Sequence, residues 1–502
     1  MAMATTVSIF ILLLIAILLY STAVVIYRLV FHPLAKFPGP KIAAATRWYE
    51  FYQDILKRQG GQFALEIDRM HDTYGPIVRI NPEELHIKDS DYYSIFYSGT
   101  RDKYGWAASM VGAEEAYLKR FLSAFGTKDH ELHRIRRSAN AKYLSKRSVL
   151  AREYVITEAM SKVVQILKTT PSTIDLHPLL LAFTTEVVRQ FTLHQSSGLL
   201  DEAESRLKWR DTLHASLMAI PILKQFNWFM ALAHHLPLSF LNVIAPPVAQ
   251  LLSVHQATTR DAQAFLNNPT RHDSADTIFH AIYNSSLPQS EKTAFRLSQE
   301  VFTIATAAGS TTAHHLVYGV YYLVSNPEKL TPFQQAVRSL KDDIPSWTDL
   351  STHPYIRATI KEVLRLRGMT AGRSPLLAPV PLQYGEWVIP KKTPLSLTVR
   401  DVLLDPRVFQ DPMSFIPERW LGDTSSIDQY FVPFGKGSRN CQGLELAWAE
   451  LYIGLGSLFR NFDIELVDLD FERDLRYTRE CLIALPREES RSVRVKVRSI
   501  TD

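Results

Sequence analysis

Hydrophobic positions are spread very unevenly along the chain. From Val7 to Tyr27 no charged residue occurs, and Ile, Leu, Val and Ala dominate. At ~1.5 Å rise per residue, a helix over this stretch spans roughly 30 Å, the hydrocarbon thickness of a bilayer. A cleaved signal peptide has a shorter apolar core with a basic residue before it. Here the basic residues, Arg28 and Lys36, come after. The pattern predicts a single-pass anchor at residues 7–27, a short luminal N-terminus at 1–6, and a cytosolic remainder. Pro33, Pro38 and Pro40 follow within FHPLAKFPGPK. They block helix and predict a stiff linker over residues 28–45.

Residues 46–502 show no internal repeat and no further linker, and read as one catalytic body. Pro76–Ile80 and Glu84–Ile87 alternate around Asn81-Pro82, which predicts a hairpin. Val493, Val495 and Val497 alternate with Arg494, Lys496 and Arg498, which predicts a strand. Helical periodicity fills the middle, notably residues 291–324 and 445–459. The fold class is α+β and mainly helical.

Composition narrows the function. A net charge of +5 on 502 residues, without a Lys/Arg-rich run, excludes a nucleic-acid binder and suits work near an anionic membrane surface. Only Cys441 and Cys481 occur, which favours a reducing compartment, although one disulfide stays open. Asn284-Ser285-Ser286 is a glycosylation sequon that matters only if that region enters the lumen. No GxGxxG follows a strand and no GxxxxGK[ST] occurs, so no recognisable motif binds a nicotinamide or nucleotide.

The densest chemistry lies in Phe434-Gly435-Lys436-Gly437-Ser438-Arg439-Asn440-Cys441-Gln442-Gly443, a turn-rich loop ahead of a helix starting near Leu444. Gly437 and Gly443 allow a tight bend and close approach to a flat cofactor. Backbone N–H groups at the helix start can face the sulfur and lower its pKa. Arg439 is placed to pair with a cofactor carboxylate. Upstream, Glu362 and Arg365 fall at i and i+3 on one helix face. They precede Pro417-Glu418-Arg419-Trp420. Within 301–324 lies Ala307-Ala308-Gly309-Ser310-Thr311-Thr312.

These segments, in this order, resemble the cytochrome P450 family. The Cys loop matches its FxxGxRxCxG signature at every fixed position, and the rest resembles its ExxR helix, PERF-type segment and oxygen-activating helix. The resemblance covers essentially the whole chain and implies a cytochrome P450 fold with haem b as cofactor and Cys441 as axial iron ligand. Phe434, Gly437, Arg439 and Gly443 would shape its seat. Thiolate ligation is the property that favours O–O cleavage in this family. It further implies that Glu362, Arg365 and Arg419 form a buried structural charge network, with Trp420 standing where the family has Phe.

Aligned without gaps, Ala308 takes the place of the family glycine, Ser310 that of the acid, and Thr311 that of the oxygen-contacting threonine. Ser310 can relay a proton but cannot supply one as a carboxylic acid does. A one-residue shift would use Gly309 and Thr312 instead, and breaks the match on both sides. His133 and Arg137 resemble the family's WxxxR and would meet haem carboxylates, with His replacing Trp. Arg373, just past the ExxR helix, is expected to point to the haem as well. A plain surface charge is its other reading. The resemblance places substrate-facing residues near Trp106–Phe125, Ile220–Phe240, Thr306–Ala307, Met369–Pro375 and Leu482–Ala484. No metal site beyond the Cys is expected: His130 and His133 lack a third ligand, and the pairs 234–235 and 314–315 diverge.

FHPLAKFPGPKIAAATRWYE and HDTYGPIVRINPEELHI look like segments of fungal secondary-metabolism members, including trichodiene-oxygenase-like enzymes. The implied protein is an endoplasmic-reticulum monooxygenase with a cytosolic catalytic domain. It would insert one atom of O₂ into a lipophilic terpenoid, polyketide or alkaloid. Electrons would come from NADPH-cytochrome P450 reductase, with cytochrome b5 as a second partner. The missing acid leaves open rearrangement, dehydration or peroxide-driven oxidation on the same scaffold. A haem sensor is the non-enzymatic reading.

Overall fold

The structure, a computed structural model, describes residues 2–104, 123–170, 172–226, 232, 235–268, 277–367 and 372–500. Its principal helices are α1 (Ala2–Ile26), α2 (His130–Ala141), α3 (Leu176–Leu193), α4 (Ala203–Gln225), α5 (Pro246–Asn267), α6 (Ala294–Val324), α7 (Pro354–Arg367) and α8 (Leu444–Asn461). The strands are β1 (Ile77–Arg79), β2 (Leu85–Ile87), β3 (Asp102–Lys103), β4 (Ile174–Asp175), β5 (Leu376–Leu377) and β6 (Leu382–Tyr384). They continue with β7 (Trp387–Ile389), β8 (Pro394–Ser396), β9 (Phe462–Leu466), β10 (Arg479–Cys481), β11 (Ile483–Leu485) and β12 (Arg494–Ser499).

The architecture is mainly helical α+β. α6 is its spine and packs against α3, α5, α7 and α8. It starts where the Thr293 hydroxyl caps the Arg296 N–H, and it carries both apolar and polar residues into the core. α6 and α8 approach closely through a reciprocal arrangement. A Cβ on Gly319 would lie 2.8 Å from Leu455, and one on Gly454 would lie 2.7 Å from Leu316. Each glycine thus receives a leucine of the other helix, which fixes the register between them.

One five-stranded sheet, in the order β1-β2-β8-β5-β3, forms the other side of the body. The hairpin expected near Asn81-Pro82 is present, with Ile77 opposite Ile87 and Arg79 opposite Leu85. β3 pairs with β5 and sets Lys103 opposite Leu376 at the sheet edge. The C-terminal strand expected from the valine alternation pairs with β9, Val495 opposite Leu466.

α1 and the turn after it, Thr5–Phe31, are long and apolar enough to cross a membrane, and none of that stretch is buried against the body. The stiff-linker reading of residues 28–45 needs correcting. Leu34 and Phe37 are buried in the core beside the sheet, where Phe37 stacks on Trp387 at 5.0 Å. The Arg79 N–H donates to the Pro38 carbonyl at 2.7 Å, and Lys41–Ala45 is helical, with Ala43 and Ala44 buried. Apolar side chains between the prolines outweigh the tendency to stay extended, and the body begins before residue 46.

Candidate active site

The loop before α8 is built by its own backbone. The Cys441 N–H donates to the Phe434 carbonyl at 2.8 Å, and the Asn440 N–H to the Gly437 carbonyl at 3.2 Å. Gly437 has φ +74°, and a Cβ there would sit 2.0 Å from the Tyr97 carbonyl oxygen, so only glycine fits. Phe434 packs on Trp448 of α8 at 5.8 Å between centroids. The loop delivers Cys441 to the lining of a cavity of about 350 Å³. The accessible surface of Cys441 is cavity surface. Both cysteines are free thiols, so the disulfide is excluded here.

Burial raises the pKa of the Cys441 thiol, while the Gly443 N–H and Arg137 pull it down. The lowered pKa expected from the helix start therefore does not result, because the loss of solvation outweighs two favourable dipoles and charges. A metal ion at the sulfur is what would deprotonate it outright.

Thr303, Ile304, Ala307, Ala308 and Thr311 of α6 line the same cavity as Cys441. The Thr311 hydroxyl back-bonds to the Ala307 carbonyl at 3.0 Å and is open to the cavity. Gly309 faces the opposite way. Its carbonyl accepts from the Thr184 hydroxyl of α3 at 2.8 Å, and a Cβ on it would lie 3.1 Å from Thr185 Oγ1. Ser310 is buried and does not line the cavity, and its carbonyl accepts from His314 Nδ1 at 2.7 Å. Thr312 also lines the cavity, as do His315 and Glu450.

The cavity lining is rich in basic residues. Lys103, Arg137, Lys436 and Arg439 belong to it together with His133. Arg439 donates to the carbonyls of Thr127 and Lys128, each at 2.8 Å. Arg137 grips the Cys loop through the Asn440 carbonyl and side-chain oxygen, both at 2.6 Å. His133 is buried with Nδ1 lacking a partner. Burial, then Arg439 and Arg137, lower its pKa to about 3, so it is neutral. Lys103 donates to the Phe125 carbonyl at 2.9 Å, and burial followed by Arg439 lowers its pKa to about 7. Lys103 is the residue that sequence reasoning missed. No local motif marks it, and only the β3–β5 pairing brings it here.

Arg373 is corrected by the structure. Its guanidinium donates to Glu84 Oε2 at 2.8 Å and Glu50 Oε1 at 2.6 Å. Gly372 and Ser374 line the cavity, and Arg373 does not. Two buried carboxylates attract it more strongly than the cavity does, and Lys103 joins the basic lining instead.

Glu362, Arg365 and Arg419 meet behind the loop, fully screened from solvent or nearly so. Arg365 makes a bidentate pair with Glu362 at 2.9 and 2.8 Å. Arg419 Nε adds a bond at 3.0 Å and the Ile416 N–H another at 3.1 Å. Trp420 Nε1 donates to Glu362 Oε2 at 2.8 Å. The indole is thus a working member of the network, which its reading as a stand-in for Phe overlooked. Arg365 also holds the carbonyls of Leu403 and Pro412 at 2.9 and 2.8 Å, tying α7 to the chain that leads into the Cys loop.

Among the expected substrate-facing segments, residues 105–122, 227–231, 233–234 and 368–371 lie outside the described residues. Leu482, at φ +73° in the β10–β11 turn, lines a small separate hollow with Ile220 and Pro221. No group of His, Cys, Asp or Glu able to hold a metal occurs among the described residues.

A flat dianionic cofactor suits this cavity, because its apolar lining is joined by Lys103, Arg137, Lys436 and Arg439, with Glu450 the one carboxyl among the described lining residues. A thiol presented at a helix start in such a lining, together with a threonine, suits the haem-thiolate class of oxidative enzyme. The chain belongs to the cytochrome P450 family, whose model matches residues 44–489. It is 36% identical to tryptophan 6-hydroxylase fscE of Fusarium equiseti over 94% of each chain. It is 35% identical to cytochrome P450 monooxygenase MO6277 of Ascocoryne sarcoides over 95% of this chain and 96% of that protein. With N-acetyltryptophan 6-hydroxylase ivoC of Emericella nidulans it shares 33% identity over 97% and 96%. These relatives place it with the fungal monooxygenases of secondary metabolism and do not single out trichodiene oxygenases. It is an oxidoreductase, and family membership implies haem-thiolate, O₂-dependent oxidation with an NADPH-dependent reductase as electron donor.

Proposed function

We propose that this enzyme inserts one atom of O₂ into a lipophilic secondary metabolite of terpenoid, polyketide or alkaloid type, with Cys441 as the axial ligand of haem b. The observation that carries the reading is that Cys441 and Thr311 line one cavity. When bound, haem supplies the oxygen chemistry. The chain's own residues do the rest. Lys103, His133, Arg137 and Arg439 hold the anionic edge, and Phe434, Gly437 and Gly443 shape the seat. The α6 wall excludes bulk water, and the Thr311 hydroxyl holds a proton at its oxygen.

α1 would anchor the enzyme in the endoplasmic-reticulum membrane at residues 7–27, with the body on the cytosolic side. Trp48, Tyr52, Leu56, Phe240 and Val243 are exposed apolar groups that suit contact with the bilayer and a greasy route inward. NADPH-cytochrome P450 reductase would supply electrons, with cytochrome b5 as an auxiliary donor. The tryptophan and N-acetyltryptophan hydroxylases among the relatives make indole-ring hydroxylation a specific form of this reading.

A second reaction class is favoured by one observation: α6 has Ser310 where an acid is expected, and Ser310 does not line the cavity. That class is rearrangement, dehydration or peroxide-driven oxidation. The test is the reduced, CO-bound absorption spectrum of wild type and Cys441→Ser, followed by O₂ uptake with reductase and NADPH. A red-shifted Soret band in wild type only, with substrate-coupled O₂ uptake, is the expected result. Absence of the band sinks thiolate ligation, and product formation without O₂ uptake moves the enzyme to the second class.

A further inference from the structure

Monooxygenation consumes two protons and two electrons for each O₂ and releases one oxygen as water, so the site needs a residue that hands protons inward. α6 does not provide one. Its only acidic residue, Glu300, is bonded to Arg296 at 2.5 Å and to the Ala124 N–H at 2.7 Å. The cavity does contain one acid. Glu450 of α8 is the only carboxyl among the described lining residues, and it is fully buried. No hydrogen bond of good geometry closes on either of its oxygens.

The helix packing places this acid. Leu316 seats against Gly454 and Leu455 against Gly319. One turn earlier on each helix, Thr312 comes beside Glu450, and its hydroxyl is the group that most favours the ionised form. Burial outweighs it and raises the Glu450 pKa well above the ordinary range. His315 completes the wall. Its Nδ1 bonds the Thr311 carbonyl at 2.8 Å, and burial holds the ring neutral, with a pKa lowered to about 3. Because a carbonyl only accepts, Nδ1 carries the hydrogen and Nε2 is a buried acceptor without a partner. A carboxyl whose acid form burial favours and an open acceptor therefore line the same cavity as Thr311.

We propose that Glu450 is the proton-holding residue of the active site, serving the Thr311 hydroxyl through Thr312 and cavity water in place of the acid that α6 lacks. Twice in each cycle the Glu450 O–H bond breaks and its proton passes along hydroxyl and water to the oxygen that leaves as water, Glu450 being reprotonated between the two transfers. Solvent then restores the carboxyl, while O₂ and the NADPH-fed reductase provide oxidant and electrons. Glu450 acts through other groups and is a positioning residue. The inference rests on the monooxygenase reading above.

The test uses full-length holoenzyme in membranes with reductase, NADPH and O₂. Glu450→Gln is expected to keep the CO-complex spectrum, to lower NADPH-driven O₂ turnover by about 100-fold, and to raise the share of O₂ released as peroxide. The infrared band of a buried protonated carboxyl, present in wild type, is expected to vanish in the variant. Thr312→Val should lower turnover similarly, and Thr312→Ser should restore it. A Glu450→Gln enzyme with an intact CO spectrum and wild-type turnover, or a wild type without that infrared band, overturns the proposal. If Glu450→Gln does not assemble, wild-type turnover in Thr312→Val overturns it. A wild type without the thiolate spectrum fails the monooxygenase reading instead.

Discussion

Glu362 and Glu450 are both fully buried carboxyls, and they differ in the donors that reach them. Glu362 accepts from two arginines, an indole and a backbone N–H. Glu450 has no bond of good geometry at either oxygen. A carboxylate surrounded by donors is a rigid structural joint, because any removal strands buried charge. A carboxyl without donors is costly to ionise and so is kept as an acid. The first kind holds the Cys loop in place, and the second is free to exchange a proton with whatever enters the cavity.

The contrast can be broken first at its strongest point. Glu362→Gln leaves Arg365 and Arg419 without their counter-charge and should cost about 3–5 kcal/mol of stability, read by urea unfolding. A loss below the cost of one neutral hydrogen bond would show that the network holds nothing. Arg373→Met should cost about 3 kcal/mol by stranding Glu84 and weakening the hold on Glu50. Haem content per folded molecule should stay at the wild-type level, and a selective loss of haem would return Arg373 to the cofactor. Trp420→Phe removes one bond to a charged acceptor and should cost about 1.5 kcal/mol. An unchanged unfolding midpoint would make the indole a mere space-filler.

The smallest effect concerns Glu450 and depends on pH. Its folded pKa is raised, so native and unfolded chains are both protonated below the ordinary carboxyl range. There Glu450→Gln should differ least from wild type, by about 1 kcal/mol or less. As pH rises through that range the unfolded chain ionises and the native state does not. Wild-type stability should then fall relative to the variant until the folded pKa is reached. A gap between the two that stays constant from acid to neutral pH would remove the asymmetry between the two acids.

Much of the site was legible because its chemistry is local. The turn glycines, the Cys and the following helix lie in one loop, so spacing alone conveys their geometry. Lys103 was not legible, since a two-residue strand at a sheet edge carries no pattern. Arg373 was misplaced for the complementary reason: its partners Glu50 and Glu84 lie far away in sequence, and adjacency to a motif says nothing about competing carboxylates. Trp420 was read as a bulky substitute because its indole N–H matters only once Glu362 is in reach.

By itself the sequence determined the anchor-length apolar helix, the helical α+β class, the thiol loop and the threonine of α6. Each of these follows from periodicity or from short-range spacing, which the chain carries whatever its neighbours do. Only the tertiary structure decided how the cavity is charged: which cations reach its rim, which arginine is drawn away, and which buried acid is left unbonded. Those outcomes depend on desolvation and on partners supplied by distant elements, and neither quantity is a property of a residue in its own segment.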